Sequence, residues 1–310
     1  SAADAGSTPH GIEKSSGSNA EVETAPEEGE ETISANATTD QLLDRLLFKA
    51  VLPRYAFPTD LAAFYVFDKT NFSEYRPEFE FSPTYGLSRA LNQYAPGNRP
   101  WIDSRKWTSG ALYSPSPDGL KNAWEEKKLY FECEKCGFGK IEKADTATKG
   151  ELRTCPACGT TDSLGPAMNW ITPPGFAHPH YINPEISPED QPDRSYATRA
   201  KLKATGPLEI ENWDLVTDRI RNFFQRDELL ITNTAPRGEG YSLCVSCGII
   251  EPTYLDAGGT SGTHLKPYPT KKDHTCAGYS TSGLVLGTVF VADILLISFN
   301  VERPVNLQTH

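Results

Sequence analysis

The sequence contains no motif of an ATP-driven motor. It has no G-x-x-x-x-G-K-[ST] phosphate-binding loop and no Asp-Glu-x-His or Asp-Glu-x-Asp segment that would hold magnesium for ATP hydrolysis. It has no run of about 18 apolar residues, so nothing in it predicts a membrane span. No Ser-His-Asp pattern or nucleophile elbow occurs. We therefore expect a chain with no catalytic motif of its own and no membrane as a partner.

No cysteine is left outside a metal-ligand spacing. Cys133-x2-Cys136 and Cys155-x2-Cys158 are separated by 18 residues, which is the spacing of a four-thiolate zinc ribbon. A glycine follows each pair and lets the chain fold back over the two thiolates. The alternative is a pair of disulfides, but the odd total of seven cysteines and the lack of a secretory signal argue against it. We predict a zinc ribbon here.

A second metal group is predicted around Cys244, Cys247 and Cys276. Cys244 and Cys247 form a third Cys-x2-Cys pair; each such pair with the turn between its cysteines is here called a knuckle. A closed tetrahedral site needs one ligand besides the three thiolates. His264 and His274 both lie between Cys247 and Cys276, and we favour His264 because His274 is only two positions from Cys276. The other histidine would then be an exposed loop residue. A catalytic zinc with three protein ligands is a further alternative, but no His-Glu or Glu-x-x-His pairing lies nearby. We expect two structural zinc ions in total.

The net charge of −11 is unevenly distributed over the 310 residues. Residues 1–38 contain eight acidic side chains against one lysine, with no aromatic residue and no apolar period, so we predict a disordered acidic tail. The rest of the chain is nearly neutral, and its charge does not exclude nucleic acid as a partner. The chain does not begin with methionine, and we expect a processed or excised piece of a longer protein.

The pattern of apolar residues predicts an α+β, strand-rich fold. Residues 39–128 would form the N-terminal part of the folded module, residues 129–165 the inserted ribbon, and residues 166–310 the C-terminal zinc-binding part. Helices are predicted before Pro53 and at 86–94, 123–128 and 215–225. Strands are predicted at 61–67, 129–131, 196–202, 228–233, 241–243, 284–290 and 293–301.

Six segments form a recognisable series: 52–60 (LPRYAFPTD), 94–97 (YAPG), 107–113 (WTSGALY), 175–179 (GFAHP), 243–248 (LCVSCG) and 291–295 (VADIL). Together they resemble the C-terminal zinc-binding module (MZB type) of bacterial superfamily 2 helicases, as in mitomycin-repair helicases and the helicase-like subunit of DISARM anti-phage systems. The resemblance covers roughly residues 45 to 301. It implies an intracellular bacterial protein that acts on DNA, with Cys244, Cys247 and Cys276 as ligands of the family's own zinc. Many relatives have threonine where this chain has Ala292, which puts any role for a hydroxyl there in doubt.

Basic residues with aromatic neighbours are the candidates for nucleic-acid contact, because phosphates attract Lys and Arg and unstacked bases stack on aromatic faces. The alternative for each is a solvated charge beside a core aromatic residue. Arg199, Lys201 and Lys203 alternate along a predicted strand, which would align three cations on one face. The candidates are Arg54, Arg105, Lys106, Arg199, Lys201, Lys203, Lys266, Lys271 and Lys272.

Other polar pairs receive structural interpretations. His178 and His180 flank a proline and have no carboxylate nearby, which favours a turn over a metal or general-base pair. Asp60 and Asp293 are interpreted as capping or hydrogen-bonding groups rather than a catalytic carboxylate pair.

We conclude from the sequence that the chain is a zinc-binding, DNA-binding or scaffold module of a helicase-type protein in bacterial DNA repair or anti-phage defence. The motor would be supplied in cis or in trans, and the location would be the cytoplasm. The main rival is a zinc-stabilised adaptor that docks a motor or a methylase, with DNA contacted elsewhere. A metallo-hydrolase is the third hypothesis and requires an open metal position.

Overall fold

The computed structural model describes residues 60–70, 77–186, 201–204, 213–255, 260 and 262–300. The chain divides into two units, Ser1–Phe57 and Pro58–His310, and every described residue belongs to the second. The predicted acidic tail at 1–38, the predicted helix before Pro53, and the basic candidates Arg54 and Arg199 lie outside the described residues. They remain predictions.

The described part is strand-rich and has two helices of seven residues each, α1 (Leu87–Gln93) and α2 (Gly119–Glu125), besides a short 3-10 turn at Thr253–Leu255. No helix in these residues is long and apolar enough to cross a membrane. The strands in chain order are β1 (Leu61–Phe67), β2 (Phe79–Phe81), β3 (Thr84–Gly86), β4 (Trp101–Ile102), β5 (Arg105–Lys106), β6 (Ala111–Leu112), β7 (Lys128–Glu132), β8 (Gly139–Lys143), β9 (Met168–Ile171), β10 (Phe176–Ala177), β11 (Glu185–Ile186), β12 (Lys201–Ala204), β13 (Asp214–Thr217), β14 (Ile220–Asn233), β15 (Tyr241–Cys244), β16 (Ile250–Pro252), β17 (His264–Leu265), β18 (Thr275–Cys276) and β19 (Ser280–Phe299).

The largest sheet is built on two long antiparallel strands, β14 and β19. Their ladder is continuous from Ile220 opposite Phe299 to Asn233 opposite Leu286. Both strands are rich in β-branched and aromatic residues, which pack well on a pleated surface. The strand order is β12-β14-β19-β9-β7-β8, with β13 paired to β14 and the β15–β16 pair attached to β19.

Two secondary-structure predictions are wrong in this sheet. Residues 215–225 form part of β13, a tight turn and the beginning of β14 instead of a helix. Residues 284–290 and 293–301 are not two strands, because β19 continues through Asp293 to Phe299 without a break. In both places the long-range ladder between β14 and β19 outweighs the local pattern.

A second sheet has the strand order β2-β1-β10-β6, with β3 also paired to β1. In β1 the buried residues Ala62, Phe64 and Val66 alternate, as the two-residue period of a strand requires. They join Leu91 of α1 and Leu284 of β19 in the largest hydrophobic core cluster. The predicted strand at 61–67 and the predicted helix at 86–94 are therefore confirmed.

A buried hydrogen-bond network joins α1 to the large sheet through Asn233, which is 1% exposed. The Asn233 side-chain amide donates to the carbonyl of Leu91 at 2.8 Å. The Tyr241 hydroxyl and the backbone N–H of Ala235 both donate to the Asn233 side-chain oxygen, at 2.8 and 3.1 Å. Because each of these polar groups is satisfied, the network fixes one arrangement of helix and sheet.

The large sheet is strongly curled. Tyr130 of β7 and Thr232 of β14 have their hydroxyls 3.5 Å apart although β9 and β19 lie between their strands. The two edge strands, β8 and β12, are also in contact. Gly287 permits this packing, since a Cβ there would collide with the indole of Trp170. The β7–β8 hairpin carries the cysteine ribbon, so the ribbon is an extension of this curled sheet.

Candidate metal centres

The first candidate centre is the group of four cysteines predicted from the spacing: Cys133, Cys136, Cys155 and Cys158. Their Sγ atoms all lie within 4.8 Å of one another. Sγ of Cys133 is 3.7 Å from Sγ of Cys158, and Sγ of Cys136 is 3.6 Å from Sγ of Cys155. Four thiolates around zinc at a Zn–S distance of about 2.3 Å are separated by roughly 3.8 Å. The geometry therefore fits a tetrahedral zinc, and it does not fit disulfides, whose sulfurs are about 2 Å apart.

The backbone explains why each knuckle turns its two thiolates inward. Gly137 and Gly159 have φ of +72° and +69°, which glycine adopts without a steric penalty. The N–H of each glycine donates to the carbonyl of the first cysteine of its knuckle at 2.9 Å. The hydroxyl of Ser163 lies 3.4 Å from Sγ of Cys133 and satisfies part of its hydrogen-bonding capacity.

An arginine clamp holds the ribbon behind the cysteines. Arg153 forms ion pairs with Glu142 at 2.8 Å and Glu151 at 2.7 Å, and its guanidinium lies 4.8 Å from the ring centroid of Phe131. The hydrogen bond from Lys140, followed by that from Arg153, lowers the pKa of Glu142, whereas burial opposes the shift. The clamp ties β7 and β8 to the segment that carries the second knuckle.

The second candidate centre combines Cys244, Cys247, His264 and Cys276, whose ligand atoms also lie within 4.8 Å of one another. Sγ of Cys244 is 3.8 Å from Sγ of Cys276, and Sγ of Cys247 is 3.2 Å from Nε2 of His264. The other ring nitrogen of His264, Nδ1, is 3.0 Å from the carbonyl of Gly262. When Nδ1–H donates to that carbonyl, Nε2 is left free to bind a metal, as in most histidine–metal sites. These residues fit a closed Cys3His zinc site.

Strand pairing explains why His264, and not His274, completes this group. β17 and β18 are antiparallel, and their register places His264 directly opposite Cys276. His274 is exposed, its Nδ1 lies 3.2 Å from the hydroxyl of Thr270, and it is outside the ligand group. The sequence contained no signal for this register, because β17 and β18 are only two residues long.

The electrostatics of the second centre favour thiolate at Cys244, whereas the hydrogen bond with Cys244 and burial raise the pKa of Cys247. Hydrogen bonding from the Cys247 thiol, with the backbone N–H groups of Cys247 and Ser246, lowers the pKa of Cys244, whereas burial opposes the shift. Thiolate is the form of cysteine that binds metal. With four protein donors, neither group has the open position that a catalytic zinc keeps for water.

His178, by contrast, has a structural role. Its Nδ1 accepts from the backbone N–H of Thr108 at 3.0 Å, and its Nε2 donates to the carbonyl of Ile182 at 3.0 Å. Burial lowers its pKa. This agrees with the interpretation of the segment from His178 to His180 as a structural turn.

Within the described residues, the basic candidates lie on three separate elements of the fold. Arg105 is 3.2 Å from a carboxylate oxygen of Glu80, and Lys106 lies opposite Glu185 on the small sheet β11-β5-β4. Only the backbone of β12 is described, and it places Lys201 and Lys203 in register with Thr232 and Leu230, which are both buried. The cations Lys266, Lys271 and Lys272 stay together in the loop between β17 and β18.

A basic residue that the sequence analysis missed lies near that loop. Lys69, at the end of β1, lowers the pKa of His180 after the larger effect of burial, and His274 contributes in the same direction. The N–H of His180 donates to the carbonyl of Pro267 at 2.8 Å. Lys69 and the loop therefore both act on His180, although they are about 200 residues apart in sequence.

These features define a strand-rich protein with two candidate zinc centres, each of four protein ligands. The chain is similar to the Druantia protein DruE of Escherichia coli (strain UMEA 4076-1), with 27% identity over 292 residues, which is 87% of this chain and 15% of that protein. The chain thus spans about 15% of the length of the curated relative that it matches. No protein-family model and no solved structure matches the chain.

Proposed function

We propose that this chain is a non-catalytic, zinc-stabilised module of α+β class that binds DNA as part of a helicase-type protein in bacterial anti-phage defence. The similarity to a Druantia protein supports the defence context. The helicase context has support from the sequence resemblance, and the chain contains no motor motif, so the motor would be supplied in cis or in trans. Within the module, residues 129–165 would act as the ribbon and residues 166–310 as the second zinc-binding part. Reduced cysteines point to the bacterial cytoplasm.

The proposal rests on residues 266–274, here called the basic loop. Two ligands of the second centre, His264 and Cys276, flank this loop on either side. His264 and Cys276 face each other where the loop begins and ends, so a metal bound there would fix both ends. The loop sequence KPYPTKKDH has three lysines and one acidic residue. Lys271 and Lys272 are exposed. A cationic loop with fixed ends loses little conformational entropy when it meets a phosphate backbone.

Packing of Tyr268 anchors the basic loop to the core, while Lys271 and Lys272 are exposed and Lys266 is half-buried. Tyr268 packs against Tyr113 with ring centroids 5.9 Å apart, and it joins the cluster of Phe67 and Ala111. Tyr279, three residues beyond Cys276, is 67% exposed and offers a ring on which a base can stack. The loop therefore combines an anchored centre, exposed cations and a nearby aromatic face.

The test is a titration of the full chain with single-stranded and duplex DNA over a range of salt concentrations. Each phosphate contact contributes about 0.9 to the slope of log K against log salt for duplex DNA. We expect Lys271→Ala/Lys272→Ala to weaken binding and reduce that slope by about 2. The matched control is Lys121→Ala/Lys143→Ala, which removes the same charge from exposed sites elsewhere. Absence of DNA binding, or equal weakening by both double variants, would refute the proposal.

A protein-interaction adaptor is the second candidate function. The exposed apolar residues at the end of the β14–β19 ladder favour it, including Phe224 at 69% and Phe299 at 61% exposure. An adaptor would dock a helicase motor or a methylase and would show no salt-dependent DNA affinity. The DNA titration separates the two functions. DNA repair remains the alternative biological context for either function.

A further inference from the structure

The end of the β14–β19 ladder, here called the arm, extends beyond the rest of the large sheet. It consists of β13, residues 220–228 of β14 and residues 291–299 of β19. Within the described residues, β12 pairs with β14 only at 229–232, and β9 and β15 pair with β19 only at 280–286. The arm is thus a ribbon of three strands at most.

One face of the arm carries a row of exposed apolar side chains. The register pairs Phe224 with Leu295, and the two-residue period places Val291, Ile297 and Phe299 on that same face. Their exposed fractions are 69% for Phe224, 55% for Leu295, 54% for Val291, 50% for Ile297 and 61% for Phe299. Apolar side chains gathered on one face in this way mark an interaction surface.

On the two long strands, the opposite face of the arm is less exposed. Ile294 is only 7% exposed, and Phe223 is partly buried with its ring centroid 5.9 Å from that of Trp213. On β13, Leu215 is in register with Arg221 of this second face and is 62% exposed. The difference between the two faces therefore holds for β14 and β19.

The area of the apolar row reaches the size of a dimer interface. The five exposed fractions correspond to roughly 500 Å² of apolar surface, which is in the range of the largest patch on an ordinary monomer. Two copies packed through this row alone would bury roughly 1,000 Å², about the lower limit for a specific interface.

One pair of charges on this face can match a second copy of itself, whereas the exposed Glu228 on the same face lies opposite Val291. Arg226 and Asp293 are exposed and directly opposite each other across the two strands, between the Phe224–Leu295 pair and Val291. A two-fold axis along the strands, midway between β14 and β19, would place Arg226 of one copy on Asp293 of the other. The same operation would place Phe224 on Leu295. An isologous contact of this kind needs no partner with different chemistry.

We propose that a second copy of this chain covers the apolar face of the arm, with the two arms packed face to face and their strands aligned. The dimer would bury the row of five side chains and pair Arg226 with Asp293 twice. This inference does not depend on DNA binding.

The test is the mass of the full chain by analytical ultracentrifugation over a range of micromolar concentrations. We expect a species of twice the chain mass of 34.1 kDa. Phe224→Lys/Leu295→Lys should raise the dimer dissociation constant by at least about 30-fold, as loss of a hot spot does. The control is Ile186→Lys, which changes a side chain that is 83% exposed on another sheet and should leave the dimer intact.

An exposed charge pair gives a second test, with a check of folding by circular dichroism because Arg226→Asp also places two aspartates opposite each other within one chain. Arg226→Asp should weaken the dimer by like-charge repulsion with Asp293 of the other copy, and Arg226→Asp/Asp293→Arg should restore it. A monomeric wild-type chain at all concentrations, or a dimer unaffected by Phe224→Lys/Leu295→Lys, would overturn the proposal. Failure of the charge swap to restore the dimer would overturn the face-to-face arrangement.

Discussion

Two glycines that follow a knuckle offer a matched test of how closely the protein packs around each candidate zinc centre. Gly159 of the ribbon and Gly248 of the second centre have φ of +69° and +85°, a conformation that costs a non-glycine residue about 1–2 kcal/mol. A Cβ at Gly159 would meet nothing within 4 Å, whereas a Cβ at Gly248 would collide with the carbonyl of Leu112 and lie 3.2 Å from the side chain of Leu120. The same substitution therefore probes two different environments.

The expected magnitudes follow from these contacts. Gly159→Ala should reduce the free energy of unfolding by about 1–2 kcal/mol, which is the conformational cost alone. Gly248→Ala adds overpacking of about 1–3 kcal/mol. It also disturbs the hydrogen bond in which Leu112 N–H donates to the Gly248 carbonyl at 2.8 Å, a bond worth about 1 kcal/mol. The total for Gly248→Ala is about 3–6 kcal/mol.

The assay is urea unfolding of the zinc-loaded full chain, with zinc per chain measured on the same samples. We expect Gly248→Ala to be more destabilising by about 2–4 kcal/mol and to lose metal from the second centre. Gly159→Ala should retain both metals. Equal destabilisation by the two variants, or a larger effect at Gly159, would refute the argument that the second centre is built into the main core while the ribbon knuckle faces solvent.

Three further predictions follow from single side chains. The wild type should bind two zinc ions per chain by elemental analysis; His264→Ala should lower the count to one, and His274→Ala should leave it at two. Burial lowers the pKa of His178 below its ordinary 6.5. The neutral ring therefore stabilises the fold above pH 6.5, and this contribution is lost as the pH falls from 6.5 through the lowered pKa. The unfolding free energy of His178→Asn should depend less on pH than that of the wild type between those two values. Asn233→Ala should cost at least about 3 kcal/mol in urea unfolding because it leaves buried partners unsatisfied, whereas Tyr241→Phe should cost about 1 kcal/mol.

Much of the candidate site could be predicted from the sequence because metal ligands have a short-range signature. The x2 spacing of Cys133 and Cys136, and of Cys244 and Cys247, determines a local knuckle whatever the remainder of the chain does. The partners of the second knuckle come from farther along the chain, and the ambiguity arose there. Only the pairing of His264 with Cys276 separates the two histidines, and two-residue strands leave no periodicity to detect.

The errors in the fold have a common physical origin in the β14–β19 ladder. Residues 215–225 have apolar side chains at spacings compatible with a helix, but the strand conformation pairs these residues with β19 and allows their backbone groups to be satisfied across the ladder. The predicted gap between residues 290 and 293 is absent because Val291 and Ala292 pair with Glu228 and Asp227 of β14 and continue the ladder. Local propensity cannot reveal a partner strand that lies some 70 residues away.

Strand β19 also has a mechanical consequence. It begins four residues after Cys276, pairs Ser280 with Cys244, and ends at Phe299 in the arm. Its twenty residues would measure about 65 Å if fully extended, although Gly283 near its beginning has a φ of +66°. A pull applied to the arm along this strand would load the β14–β19 ladder in shear, with its hydrogen bonds sharing the force, and would be delivered to the knuckle of the second centre. The metal site would then anchor one end of β19. Removing its metal should lower the force at which the β14–β19 ladder unfolds.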